Sequence, residues 1–225
     1  GGCVNFVNAL TACARDHGVD LFTNEWVNEL VVEDGEVKRV RTKCGDEFVA
    51  TEGVISTINV RDVYDCLGDA APAHEREHIA KIKNADFVAL NQAFALSKIP
   101  EFKTGEAVKD SFCIEFAPDE EEYLRTFSEY LLGGFSPKLP LITMPSLRDP
   151  SRAPEGGCVV NVYSYAPWNL DGDWHNWETK GQELKDALWE FFKSRCTNIT
   201  DDDLVGRWGC TPLEYTEWNL SLIHI

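Results

Sequence analysis

Basic residues are scarce in this chain: 21 Lys and Arg stand against 38 Asp and Glu, a formal net charge of −17. So acidic a surface repels phosphate, which argues against nucleic acid as a partner and against a polybasic grip on anionic lipid. Solubility is the plain consequence of that charge, and an apolar contact with a membrane surface stays open. Long apolar runs are missing too, since none approaches the ~18 to 20 residues that cross a bilayer. The eight cysteines form no Cys-x-x-Cys pair and are scattered from Cys3 to Cys210. Several sit on apolar faces, Cys3 and Cys13 among them, and they read as reduced core residues of an intracellular protein. No Gly-x-Gly-x-x-Gly occurs: Gly133-Gly134 and Gly156-Gly157 both lack the third glycine. The chain therefore carries no pyrophosphate cradle of the glycine-loop kind.

Apolar volume, by contrast, is ample. Hydrophobic residues make up 44% of the 225, with 12 Phe, 7 Trp and 6 Tyr, enough for a large core in one or two domains. Cys3, Phe6, Val7, Leu10, Cys13 and Ala14 fall on one face of a helix that Gly18 ends. Strand-like runs follow at 19–23 and 27–33. The Asp34-Gly35 turn returns the chain through 37–42, and Cys44-Gly45-Asp46 leads by way of Phe48 to a buried strand over 54–59. Helix, strand, small β-meander and returning strand are the order of a β-excursion inserted into a parallel sheet. Beyond a boundary near 59–68, a polar helix is expected from Ala73 to about Asn84 and strands at 87–96, 112–116, 139–144 and 159–165. Asp119 is positioned to cap a helix that Gly133-Gly134 ends, and a long helix is expected from Trp177 to Cys196.

The first 59 residues resemble the FAD-dependent phytoene desaturase and carotenoid isomerase-like oxidoreductases, within the wider amine-oxidase-like flavoproteins. The residues that carry the likeness are Gly1-Gly2, Ala9-Leu10, Ala14, Gly18, Thr23, Val27, Val32, Gly35, Val37, Val40, Gly45 and 54–59. A second set comprises Asp149-Pro150, Ala153-Pro154-Glu155-Gly156, Trp168, Trp174, Lys180 and Thr211-Pro212-Leu213. The family's glycine-loop fingerprint and its glycine-rich C-terminal segment have no counterpart, so the sequence reads as an internal fragment of such a protein.

The resemblance implies an α/β plus α+β fold. Residues 1–62 would be part of an FAD-binding Rossmann-like domain with its β-meander, 63–210 a mixed-sheet substrate domain with helices, and 211–225 a truncated return segment. The parent would use FAD to desaturate or isomerise an apolar, carotenoid-like substrate. It would be cytoplasmic or peripherally membrane-associated, with N-terminal targeting not observable in this sequence. Two other readings of the same architecture stay open: a non-enzymatic escort that binds a lipid or prenyl group, and a relative that oxidises amines or porphyrinogens. No catalytic side chain is implied. For the cofactor, the valine four residues after Thr23, Val27, would lend its backbone N–H and C=O to the adenine end of FAD. Thr57 and the Gly1-Gly2 pair are further cofactor-binding candidates. Val27 is equally a strand-core valine, and the two roles are compatible because only its main chain would touch FAD.

Three constellations invite other chemistry and fail on context. His74-Glu75-Arg76-Glu77-His78 fits the zinc-peptidase pattern His-Glu-x-x-His, yet its helix is mostly charged and lacks the apolar buried side that floors a zinc cleft. No metal site is expected there. Trp168, Trp174 and Trp177 could line an apolar pocket but read first as packing. Asp171, Asp173 and Asp201 to Asp203 lack calcium-loop spacing and read as solvated loops.

Overall fold

A computed structural model describes residues 2–83, 85–108, 110–116 and 119–218. The described chain divides into two compact units, 2–83 and 85–218. This division falls later than the expected boundary at 62/63. Helix α2 (Val60–Leu67) packs on strand β1 (Val27–Glu33), and α3 (Ala73–Ala80) packs on α2, so both helices belong with the first unit. Residues 211–218 of the expected return segment belong to the second unit, and 219–225 lie outside the described residues.

In the first unit, α1 (Cys3–Asp16) forms where the apolar spacing places it. β1, β2 (Glu36–Thr42) and β3 (Glu47–Val49) make the expected antiparallel meander. The hairpin turns on Asp34 at φ 52° and Gly35 at φ 81°, two successive left-handed residues of the kind a two-residue hairpin needs. Two expectations fail here. Residues 19–23 and 54–58 form no strand: Ile55 is 95% exposed, and α1 buries none of its residues. A strand is held by backbone hydrogen bonds to a neighbour, and neither segment has a ladder partner among the described residues. The apolar face of α1 is accordingly open, with Phe6 at 68% exposure, and Cys3 and Cys13 are exposed rather than buried.

The second unit is a five-stranded sheet in the order β5-β6-β7-β4-β8, antiparallel throughout. Its strands are β4 (Phe87–Leu96), β5 (Cys113–Glu115), β6 (Leu141–Thr143), β7 (Cys158–Pro167) and β8 (Leu204–Cys210). Alternation along β4 and β7 sends Leu90, Phe94, Val160 and Val162 to one face, all fully buried. There α5 (Asn176–Arg195) lays Leu188, Trp189 and Phe192 against them, and the Phe94 ring meets Trp189 at 4.9 Å and Phe192 at 5.7 Å. Helix α4 (Glu120–Leu131) starts at Asp119, whose carboxylate accepts from the Glu122 N–H at 2.8 Å, as the sequence predicts.

β8 was not expected. Its glycines Gly206 and Gly209 weaken a strand by propensity, but β4 runs so close that a Cβ on Gly209 would stand 2.6 Å from the Asn91 carbonyl oxygen. The motif Thr211-Pro212 then opens α6 (Pro212–Trp218), where the Thr211 N–H donates to Glu214 at 2.7 Å and the Glu214 N–H donates back to the Thr211 hydroxyl at 3.2 Å.

Candidate functional site

Val27 opens β1 and lines a cleft of about 210 Å³ together with Trp26, Asn28, Ile58, Asp62, Asp65 and Cys66. Three local features assemble it. Asn59 caps α2 by accepting from the Arg61 N–H at 2.9 Å, which starts the helix immediately after Ile58. Asp62, Asp65 and Cys66 follow at helical spacing on a face turned toward β1. On the strand side, Lys43 donates its N–H to the Trp26 carbonyl at 2.8 Å, and its ammonium lies 4.0 Å from the Trp26 ring centre.

The cleft has apolar walls and an acidic, acceptor-rich side. The Cys66 thiol reaches the Val27 carbonyl at 3.9 Å. Burial pushes the Cys66 thiol above its ordinary range, and the carboxylates of Asp62 and Asp65 push it the same way. It is therefore held as a thiol, suited to a weak donor contact and not to nucleophilic attack.

Of the sequence candidates, the structure places Val27 in this cleft. Thr57 is exposed and outside the lining, while its neighbour Ile58 is inside it. Gly2 sits at the start of α1, where its carbonyl accepts from the Asn5 N–H at 3.1 Å, and is no part of the cleft. Gly1 lies outside the described residues. Trp26, Asn28, Asp62, Asp65 and Cys66 were missed. The spacing Asp62-x-x-Asp65-Cys66 behind a capping Asn59 was a readable helix face, but 59–68 read as a boundary and not as an element.

The decoy constellations occupy ordinary structural positions. His74 and His78 are exposed on α3, and Glu75 accepts from the Tyr64 hydroxyl. Trp177 is buried, with its indole N–H shared between the carbonyls of Pro167 and Trp168 at 3.1 and 3.0 Å. Asp173 accepts from His175, Asp171 pairs with Lys180, and Asp201 pairs with Lys193.

No protein-family model matches the chain. A phytoene desaturase (lycopene-forming) of Pseudescherichia vulneris is 26% identical over 235 residues, covering 96% of this chain and 42% of that protein. The likeness to phytoene desaturase is borne out. The chain thus spans less than half the length of this relative. Among solved structures, an oxidoreductase of Methanosarcina mazei matches with a TM-score of 0.61 at 17% identity, over 93% of this chain and 42% of that one. A reduced UDP-galactopyranose mutase matches at a TM-score of 0.57 and 12% identity, over 87% of this chain and 36% of that one. At such identities the structures speak for the fold alone, a mixed α/β architecture shared by proteins of different chemistry. Among the described residues, no helix is long and apolar enough to cross a membrane.

Proposed function

We propose that the protein to which this chain belongs is an FAD-dependent oxidoreductase that desaturates or isomerises a carbon–carbon bond of an apolar, polyene-like substrate. The observation that carries this reading is the match to a phytoene desaturase over nearly the whole chain. The cleft at Val27 is compatible with it. Its apolar walls and acceptors fit the uncharged nucleoside end of a dinucleotide, and its carboxylates do not fit the pyrophosphate, which needs glycine-loop amides and a helix N-terminus. Val27 would hold that end through its main chain. When bound, FAD supplies a hydride acceptor at its flavin ring.

The chain's own residues would bind and exclude water. An apolar ligand would lie on the face of the five-stranded sheet opposite α5, beside the Tyr165 ring that packs on Phe127 at 5.6 Å. By cross-strand register, Ala93 stands there between Asn161 and Trp208, Ala89 beside Tyr165 and Asn91 beside Tyr163. Small alanines in the middle leave room, and Tyr163, Tyr165 and the 54% exposed Trp208 give broad apolar walls. Peripheral membrane contact belongs to the same proposal, since an apolar polyene partitions into lipid.

Purified full-length protein should be yellow; without oxygen, a polyene that is desaturated should bleach its flavin absorbance, and one that is isomerised should emerge rearranged with the flavin's oxidation state unchanged. A colourless protein that leaves the polyene unchanged would overturn the reading in favour of a non-enzymatic lipid-binding escort. The 225-residue chain alone should be colourless. A few main-chain hydrogen bonds at ~0.5 to 1.5 kcal/mol each cannot offset an association cost of ~4 to 15 kcal/mol.

A further inference from the structure

We propose that the substrate is an oxygenated polyene, and that Asn91, Tyr163 and Tyr215 form a polar cluster that selects a hydroxyl group on it. This rests on the reading that an apolar ligand lies on the sheet face opposite α5, and deepens it by naming the ligand's polar group.

Register places the cluster in the middle of that face. Asn91 of β4 stands opposite Tyr163 of β7 on one side and opposite Cys210 of β8 on the other. Tyr215 of α6 brings its hydroxyl to the Asn91 side chain. Burial pushes the Tyr215 hydroxyl above its ordinary range, against the pull of that Asn91 contact. Burial pushes Tyr163 the same way, and the neighbouring Tyr165 and Tyr215 add to the rise. Both phenols therefore stay protonated and can donate as well as accept. The Asn91 side-chain oxygen is buried and has no hydrogen-bond partner among the described residues. The other amide of this face, Asn161, already donates to the Thr143 hydroxyl at 3.4 Å. Tyr163 is 37% exposed, so the cluster is open to a ligand lying across the face.

The surroundings specify the kind of oxygen. A hydrocarbon laid over the cluster would take water from an amide and two phenols and return no hydrogen bond. A carboxylate or phosphate finds no counter-charge. The five strands carry a single cation, Arg207, which stands opposite Phe94 on the α5 face and pairs there with Asp186. A neutral group remains. A carbonyl only accepts and would leave the Asn91 oxygen unpaired, whereas a hydroxyl accepts from a phenol and donates to that oxygen. Further along the strands the face turns apolar, with Ala95 opposite Val159 and Trp208 beside Ala93, and takes the hydrocarbon part.

The test uses full-length protein in detergent micelles, titrated with an acyclic polyene alcohol and with the hydrocarbon that carries hydrogen in place of the hydroxyl. Binding is read as quenching of tryptophan fluorescence by energy transfer to the polyene. The preference for the alcohol, compared between proteins, cancels each ligand's partition into detergent. That preference should fall about tenfold in a Tyr163→Phe, Tyr215→Phe double variant, as expected when one hydroxyl loses its hydrogen bonds. An unchanged preference would overturn the proposal. Should the double variant fail to fold, Tyr163→Phe alone serves: a fall of about threefold supports the proposal, and no fall overturns it. The flavin reading fails separately. A yellow protein whose preference survives the substitutions keeps its flavin and refutes the cluster, whereas a colourless protein whose preference falls keeps the cluster and loses the redox reading. A protein that binds neither polyene refutes the proposal outright.

Discussion

The two units of this chain bury their apolar residues to very different extents. Every member of the hydrophobic core cluster lies between Leu90 and Ile199, in the second unit. In the first unit, the described buried residues are Leu30, Thr42 and Ala71, while Val4, Phe6, Val7, Leu10, Phe22 and Ile55 face outward. Composition does not explain this difference, since both regions are rich in apolar side chains. Topology does. The second unit's sheet is antiparallel, each of its strands has a hydrogen-bonded partner, and α5 returns to cover one face. In the first unit, α1 and the segments 19–23 and 54–58 carry the apolar pattern of a covered layer without a covering layer among the described residues. An apolar stripe specifies a face to be buried, and whether it is buried depends on what lies beside it.

The sharpest way to break the comparison is hydrogen exchange. Amides of β4 and β7, hydrogen-bonded along ten residues in the centre of the sheet, should exchange only through global opening. Amides of α1, a helix that buries none of its residues, should exchange orders of magnitude faster. Comparable protection in α1 and β4 would show that the stripe is covered in solution and that the contrast is false.

Single substitutions sharpen it next. Phe94→Ala removes a ring that is wholly buried against Trp189 and Phe192. It should cost about 3 to 5 kcal/mol of unfolding free energy in denaturant titration. Phe6→Ala, at 68% exposure on α1, should change stability by no more than about 0.5 kcal/mol. Matching losses at the two sites would erase the distinction.

The same contrast explains which parts of the fold were legible in the sequence. Elements held by their own pattern were readable: β4 at 87–96, the Asp34-Gly35 hairpin, the Asp119 cap, and α5 within one residue at each end. Elements that depend on a neighbour were not. Residues 54–58 have the pattern of a buried strand but no ladder partner among the described residues, and β8 has a partner but two glycines. The candidate site divides in the same way. Val27 was a candidate through the family resemblance, which needs only a short spacing within one segment. Asp62, Asp65 and Cys66 reach it only because α2 folds back on β1, some 35 residues along the chain, a tertiary fact that local pattern does not carry.

Gly209 tests whether β8 owes its place to closeness and not to propensity. Alanine has the better intrinsic standing in most settings, yet its Cβ would press on the Asn91 carbonyl oxygen at 2.6 Å and on the Gln92 Cγ at 3.0 Å. Backbone cannot swing aside as a side chain does, so β4 and β8 would have to part locally. Gly209→Ala should therefore destabilise by about 1 to 3 kcal/mol, measured by denaturant midpoint at an unchanged m-value. A neutral or stabilising result would mean that the strands are less close than their register implies.

The smallest expected effect lies at Asp203, which ties the start of β8 to the end of β4. Its carboxylate accepts from Lys98 at 3.0 Å, from the Thr200 N–H at 2.9 Å and hydroxyl at 3.0 Å, and from the Ser97 hydroxyl at 3.1 Å. The Lys98 ammonium first, and then the Thr200 N–H, hold its pKa at about 2, below the ordinary 3.8. All of these partners favour the charged form, so the folded state binds this proton less readily than the unfolded one. Stability contributed by Asp203 is then fully present above its ordinary pKa and is lost as pH falls through about 2. The difference in melting temperature between the unsubstituted protein and Asp203→Asn should be constant above about pH 5 and shrink steadily from about pH 4 toward 2. The strongly acidic chain sheds other carboxylate charges in the same range, and only the difference between the two proteins isolates this group. A difference that holds steady down to pH 2 would show that the carboxylate's charge contributes nothing to the β4–β8 junction and that its hydrogen bonds survive equally well to an amide.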